Sequence, residues 1–370
     1  MKSKFFPALA VLVGTTVGAG FLGIPYVVSR SGFLPGIGYL IFVAVLMLFM
    51  KLYLGEVILR THGNHQLTGY AGKYLGKTGK ILMFFAMIFG IYAALTAYLI
   101  GEGSSLSYII FGNQNYSLVF SLVFWLIMSG LTFIGLSELK KTEKIAMILV
   151  LGFILLIFLF FVKGINIENL SYVNSGRLFV PFGVILFSFL AFSAMPEVKR
   201  ILIGQEKLMK KVIIYGMTIP LIVYIIFTFI VVGNFGVDVP EVATLALGRF
   251  FSVLGVVTMF TAFFVLALAL RDMFRFDFNL GRFRGWILAV SVPLVLFLLI
   301  YFFKLASFIQ ILSIAGIISG GLTGILILLM NIQSKKLGNR KPEYHLGINW
   351  FLIILLSLIF ILAVVAEFVL

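Results

Sequence analysis

The sequence predicts an all-α polytopic membrane protein whose first ten helices form two inverted halves of five. Hydrophobic residues make up 62% of the 370 and charged ones only 11%, with a mean hydropathy of +1.18. That is more apolar surface than a water-soluble globule of this size can hide. Apolar stretches long enough to cross a hydrocarbon core of about 30 Å, roughly 20 helical residues, recur along the whole chain. Two of these stretches, the first and the sixth, are interrupted by residues that weaken helices.

The spans fall at about 5–28, 35–58, 81–110, 117–136, 144–163, 178–200, 211–233, 243–270, 285–303, 306–330 and 348–369. The connections are short, so residues 1–370 are expected to form a single transmembrane unit. Helices one to five occupy about 5–163, six to ten about 178–330, and an eleventh helix about 348–369.

The first span, "LVGTTVGAGFLGIPYVVSRSG", carries Gly14, Gly18, Gly20, Gly23 and Pro25. The sixth, "PFGVILFSFLAFSAMPEVKRIL", holds Ser188, Ser193, Pro196 and Glu197 where a plain spanning helix would carry Leu or Val. Five is odd, so a second group of five helices starting at the sixth enters the membrane from the opposite side, which is an inverted repeat. Unwound backbone is tolerated at that depth only where it is buried in protein or lines a cavity. There the free N–H groups at the start of a half-helix can hold a carboxylate, and glycine lets the ligand approach the backbone. Gly14 and Gly18 also fit a small-xxx-small packing seam, but the matching interruption in the sixth span favours a site.

Of the remaining helices, the second carries Lys51, expected to snorkel to the inner surface, and Glu56, one turn from Arg60. The long third helix holds Glu102, an intramembrane acid and hence a candidate proton carrier. The fifth has no charge between Lys144 and Lys163. The eighth offers Thr258 and Thr261, three apart on one face and able to give oxygen ligands to a hard cation.

The net charge of +15 is topological. With the N-terminus in the cytoplasm, 22 of the 28 Lys and Arg residues fall in inner segments and five in outer ones, with Lys51 inside a helix. This bias predicts a multi-pass protein of the cell membrane with a cytoplasmic N-terminus and an extracytoplasmic C-terminus. The basic excess is then expected to meet membrane lipid, not nucleic acid. The start "MKSKFFPALAVLV" has signal-peptide features, but its apolar run continues to Val28, so it is read as the first helix.

Other chemistries find little support. There is no cysteine. His62 and His65 have metal-pair spacing but no neighbouring carboxylate, so no metal is expected. The histidines lie in loops and the acids are scattered, which disfavours an enzyme.

"GTTVGAGFLGIPYVVSRSGF" at 14–33 resembles the first-helix signature of the amino acid/polyamine/organocation transporters. It is most similar to the amino acid/auxin permeases and their hydroxy- and aromatic-amino-acid permease branch. "FSFLAFSAMPEVKRIL", "TAFFVLALALRDMF" and "ASFIQILSIAGIISGGLTGIL" resemble that group's sixth, eighth and tenth helices. The resemblance implies a LeuT-like fold, a 5+5 inverted repeat with an eleventh helix, that transports an L-amino acid by alternating access. The substrate carboxylate would lie on Thr16, Val17, Gly18, Ala19 and Gly20, and its amino group by carbonyls around Phe187, Ser188 and Ala191. Its side chain would meet Phe189, Phe192, Tyr92 and Thr96. Ala191 departs from the more glycine-like break of many relatives. Thr261 stands at the position that matches sodium-coupled members, so Na+ or H+ is the expected coupling ion, with no other cofactor. A neutral substrate, aromatic or branched, fits the lack of a buried acid at the presumed pocket. The alternatives are a nutrient sensor that keeps the fold without transport, and, least favoured, a membrane enzyme.

Overall fold

The computed structural model describes residues 3–63, 65–135, 139–347, 350, 354, 355, 357 and 358. In chain order the α-helices are α1 (Phe5–Thr16), α2 (Gly20–Ser31), α3 (Phe33–Leu59), α4 (Leu67–Phe111), α5 (Ser117–Ile134), α6 (Leu139–Phe161), α7 (Ile167–Ser171), α8 (Pro181–Ser188), α9 (Met195–Leu202), α10 (Met209–Phe235), α11 (Arg249–Asp277), α12 (Arg282–Phe303) and α13 (Phe308–Leu337). Among the described residues nine helical segments are long and apolar enough to cross a membrane, with α8 and α9 taken as one. The pair α1 and α2, bent by 49°, makes a tenth. The expected eleventh span lies almost wholly outside the described residues.

Two boundaries differ from the sequence reading. The third helix starts at Leu67 and not near 81, because the basic stretch after Leu67 is helical though too polar to span. It turns at Gly76, where φ is +69°. The eighth starts at Arg249, since Ala243–Leu247 form a separate 3-10 turn. Elsewhere local chemistry sets the ends. Pro181 and Pro196 occupy the first turns of α8 and α9, where a missing N–H costs nothing. Ser307 and Gln310 cap α13 reciprocally.

The packing repeats in inverted form. The first half of the broken first span, α1, lies on α6 and α10; the first half of the broken sixth, α8, lies on α13 and α3. Between them α2 meets α8, and α4 runs through the centre against α11 and α13. Leu126, Leu155 and Phe160, on α5 and α6, turn outward, as lipid-facing positions do. The two breaks are thereby placed face to face inside the bundle.

Candidate functional site

The first break follows from where α1 runs out of backbone partners. Thr15 and Thr16 donate their hydroxyls back to Val11 O and Leu12 O at 2.8 and 2.7 Å, a habit that bends and ends helices. Gly18 N–H then turns onto Thr16 O at 2.9 Å, and α2 begins at Gly20. In the sixth span α8 ends at Ser188 and the chain passes through Ala191 at φ +37° before a 3-10 turn at Phe192–Ala194 leads into α9. A left-handed alanine costs about 1–2 kcal/mol, so the unwinding here does not depend on glycine. Ala191→Gly is expected to hold the thermal midpoint at or slightly above wild type, because relief of about 1–2 kcal/mol of strain is only partly offset by about 0.5–1 kcal/mol of added chain entropy. Ala191→Val, β-branched at positive φ, should lower it clearly. Equal melting of the two variants in detergent would contradict the left-handed turn.

The breaks touch at Gly20. A Cβ there would stand 2.6 Å from Ser188 Oγ and 2.9 Å from Ser188 Cα, closer than side chains pack. Behind this contact the buried Tyr224 hydroxyl of α10 lies 2.7 Å from Thr16 O and 3.0 Å from Ser188 O. One phenol proton therefore serves the carbonyl ends of both half-helices. On the other side the Tyr98 hydroxyl of α4 closes on the first break, 3.3 Å from where a Cβ on Gly18 would stand.

A cavity opens between the breaks, α4, α11 and α13. Thr16, Gly18 and Gly20 line it from the first break, and Phe187, Ser188, Ala191 and Phe192 from the second. Ile91, Ala94 and Tyr98 face it from α4, Ala262 and Leu266 from α11, Ser319 and Thr323 from α13. Among the described residues no acid or base lines it; its polar groups are hydroxyls and backbone. Such a surface suits a net-neutral, largely apolar molecule with a few polar atoms.

Other expected residues lie elsewhere. Val17 and Ala19 belong to the first break but their side chains are buried off the cavity, and Phe189 packs on Tyr224 at 5.0 Å. Tyr92 and Thr96 lie toward α12, with hydrogen bonds to Leu288 O at 3.0 Å and Pro293 O at 3.4 Å. They sit four apart on one face of α4, whereas Ile91, Ala94 and Tyr98 follow the face that meets the breaks. Thr258 and Thr261 both donate into their own helix, which leaves only lone pairs for a cation. Glu102 is fully buried in α4, off the cavity, and neither carboxyl oxygen has a partner among the described residues. Lys51 does not snorkel: it is 0% exposed and its ammonium lies 3.4 Å from Thr16 Oγ. Tyr98 and Tyr224 are not among the residues expected from the sequence, although a tyrosine in the middle of a span is a signal, since a buried phenol usually has a partner.

At the basic end Glu56 pairs with Arg60 at 2.8 Å and accepts from Asn331 Nδ2 and Leu346 N–H, both at 3.1 Å. Lys199 donates to Thr61 O and Gly63 O at 2.8 Å, and Arg340 to Leu59 O at 2.8 Å. Burial, aided by the Glu56 charge, pushes the Tyr344 phenol well above its ordinary range. These bonds hold α3, α9 and the segment after α13 together below the cavity.

The profile of the tryptophan/tyrosine permease family matches residues 1–246. Glutamine transporter 2 of Aliivibrio fischeri is 26% identical over 243 residues, covering 63% of this chain and 62% of that one. Tyrosine-specific transport systems 1 and 2 of Haemophilus influenzae are 24% and 26% identical, over 60% and 61% of this chain and 56% and 57% of theirs. The chain thus spans between 56% and 62% of the length of these curated relatives. By name they are transport proteins, not enzymes. Among solved structures, Mhp1, a nucleobase-cation-symport-1 family transporter in a closed conformation with bromovinylhydantoin bound, superposes with a TM-score of 0.65. The match covers 98% of this chain and 92% of that one at 14% identity, and it identifies the fold as LeuT-like.

Proposed function

The chain belongs to the tryptophan/tyrosine permease family, and from that premise we propose that it is a secondary active transporter of a neutral L-amino acid, aromatic or branched. It works by alternating access in the cell membrane, driven by an ion gradient, with the N-terminus in the cytoplasm. The observation that supports this reading is the meeting of two broken helices at one cavity that, among the described residues, no charged side chain lines. The amide-rich start of α2 offers the pole that favours a carboxylate, and carbonyls at the end of α8 suit an ammonium. Phe187, Phe192, Ile91 and Leu266 supply apolar surface for the side chain. Among the described residues no acid lines the cavity to hold a second positive charge, so lysine and arginine fit poorly.

A thermal-shift screen of the twenty amino acids, followed by counterflow of labelled tyrosine and glutamine in proteoliposomes, tests the proposal. Neutral amino acids are expected to stabilise the protein, and a preloaded pool to speed entry of label. Stabilisation by lysine or arginine alone would refute the pocket assignment. Specific binding without flux would make the protein a sensor.

A further inference from the structure

We propose that Lys51 carries the proton that drives uptake, binding and releasing it at the carboxy end of α1; this rests on the transport reading above. Lys51 lies in the interior of α3, fully buried. Its ammonium is 3.0 Å from Met217 Sδ on α10 and 3.4 Å from Thr16 Oγ, and no described acid pairs with it. The Thr16 hydroxyl has already given its proton to Leu12 O, so its lone pairs are what the lysine meets. Thr16 also lines the cavity. One residue therefore separates the ammonium from the place where a substrate carboxylate is expected.

Among the described residues none of the other ionisable groups on the helices around α3 pairs with Lys51. On α3 itself, Glu56 is held by Arg60, Asn331 and Leu346 N–H, and Tyr39 and Tyr53 are neutral phenols. On α9, Lys199 holds the carbonyls of Thr61 and Gly63 while Glu197 pairs with Arg200 at 3.1 Å. On α10, Tyr224 serves Thr16 O and Ser188 O, and Lys210, Lys211 and Tyr215 belong to its exposed first turns. On α13, Lys335 donates to Leu346 O. On α2, Arg30 lies over Tyr26 at the far end; α7 has only the exposed Glu168, and α8 has no ionisable side chain. What remains to balance a charge on Lys51 is the carbonyl pole of α1 and whatever anion enters the first break.

An ammonium without a counter-ion at this depth is costly. A substrate carboxylate at the break supplies the missing charge, so proton and substrate each favour binding of the other. In the outward state a proton from water bonds to the amine lone pair as the zwitterion binds. In the inward state the carboxylate departs, the N–H bond breaks to water on that side, and neutral Lys51 resets the carrier. One proton and one amino acid cross together, and no other reactant is needed.

The experiment uses the full chain in proteoliposomes with labelled tyrosine and glutamine. In sodium-free buffer, an inside-alkaline gradient of about one pH unit should concentrate the wild-type substrate up to about tenfold, and a lumenal dye should report acidification as it enters. Lys51→Arg keeps the charge that faces the carboxylate but cannot cycle a proton, so it should show counterflow and no accumulation, whereas Lys51→Gln should bind substrate more weakly and likewise fail to accumulate it. Arginine keeps the charge and most of the stem, so it carries the test if glutamine impairs folding. Accumulation by either variant under the pH gradient overturns the proposal. So does wild-type uptake that requires sodium, or substrate entry without acidification. Absence of counterflow in the wild type overturns the transport reading itself, and this proposal with it.

Discussion

Gly18→Leu is expected to abolish amino-acid binding while the protein still folds and inserts. A Cβ at Gly18 would stand 3.3 Å from both Ala262 Cβ and the Tyr98 hydroxyl, across the part of the cavity where α4 and α11 approach the first break. Gly18 does not occupy the left-handed region, so backbone strain does not forbid the substitution. The effect comes from space. Three further carbons beyond that tight Cβ have only the cavity to enter, and they would occupy the ground next to the amides of the break. Overpacking of about 3 kcal/mol corresponds to a loss of roughly a hundredfold or more in affinity, and Gly18→Ala should fall between. Binding of labelled tyrosine and glutamine to purified variants, alongside size-exclusion profiles, separates lost affinity from lost fold. Wild-type affinity in Gly18→Leu would return the glycine to the role of a helix-packing seam.

The large-scale architecture is legible from the chain because it rests on hydropathy, length and parity. Apolar runs mark the helices, and an offset of five from one interrupted helix to the other forces the inversion. The first break is legible too, since glycine and β-branched threonine concentrate where α1 stops. Legibility fails at helix phase. Tyr92 and Thr96 are on the expected helix but turn their hydroxyls to carbonyls of α12, and that orientation depends on how α4 is rotated against α12, which no local pattern encodes. Lys51 fails for a related reason. A lysine near the inner end of a helix ordinarily reaches for water along its own surface, whereas here α10 and α1 close over it. Ala191 is a different case: the interruption of the sixth span is expected, while the residue at the break is not glycine and nevertheless takes a left-handed conformation.

Tyr224→Phe should leave the fold intact but weaken binding and slow transport by about tenfold or more. The ring is held independently of its hydroxyl, stacked 5.9 Å from Phe21 with an interplanar angle of 3° and 5.0 Å from Phe189, so phenylalanine fits the same place. What disappears is the donor shared by Thr16 O and Ser188 O. Both are carbonyls at half-helix ends in a fully buried setting, and a buried acceptor left unmade costs about 1–3 kcal/mol. The two half-helix ends also carry partial negative charge toward each other, and removing the proton between them leaves that repulsion without compensation. The expected response is a lower thermal midpoint together with a loss of affinity for any amino acid that binds, because the loss lies in the backbone part of the site and not in the side-chain pocket. Selectivity among amino acids should therefore stay the same while every affinity falls in parallel. A change in selectivity instead would mean that the Tyr224 hydroxyl contacts the substrate side chain. Wild-type behaviour would mean that the Gly20 contact alone holds the two breaks in register.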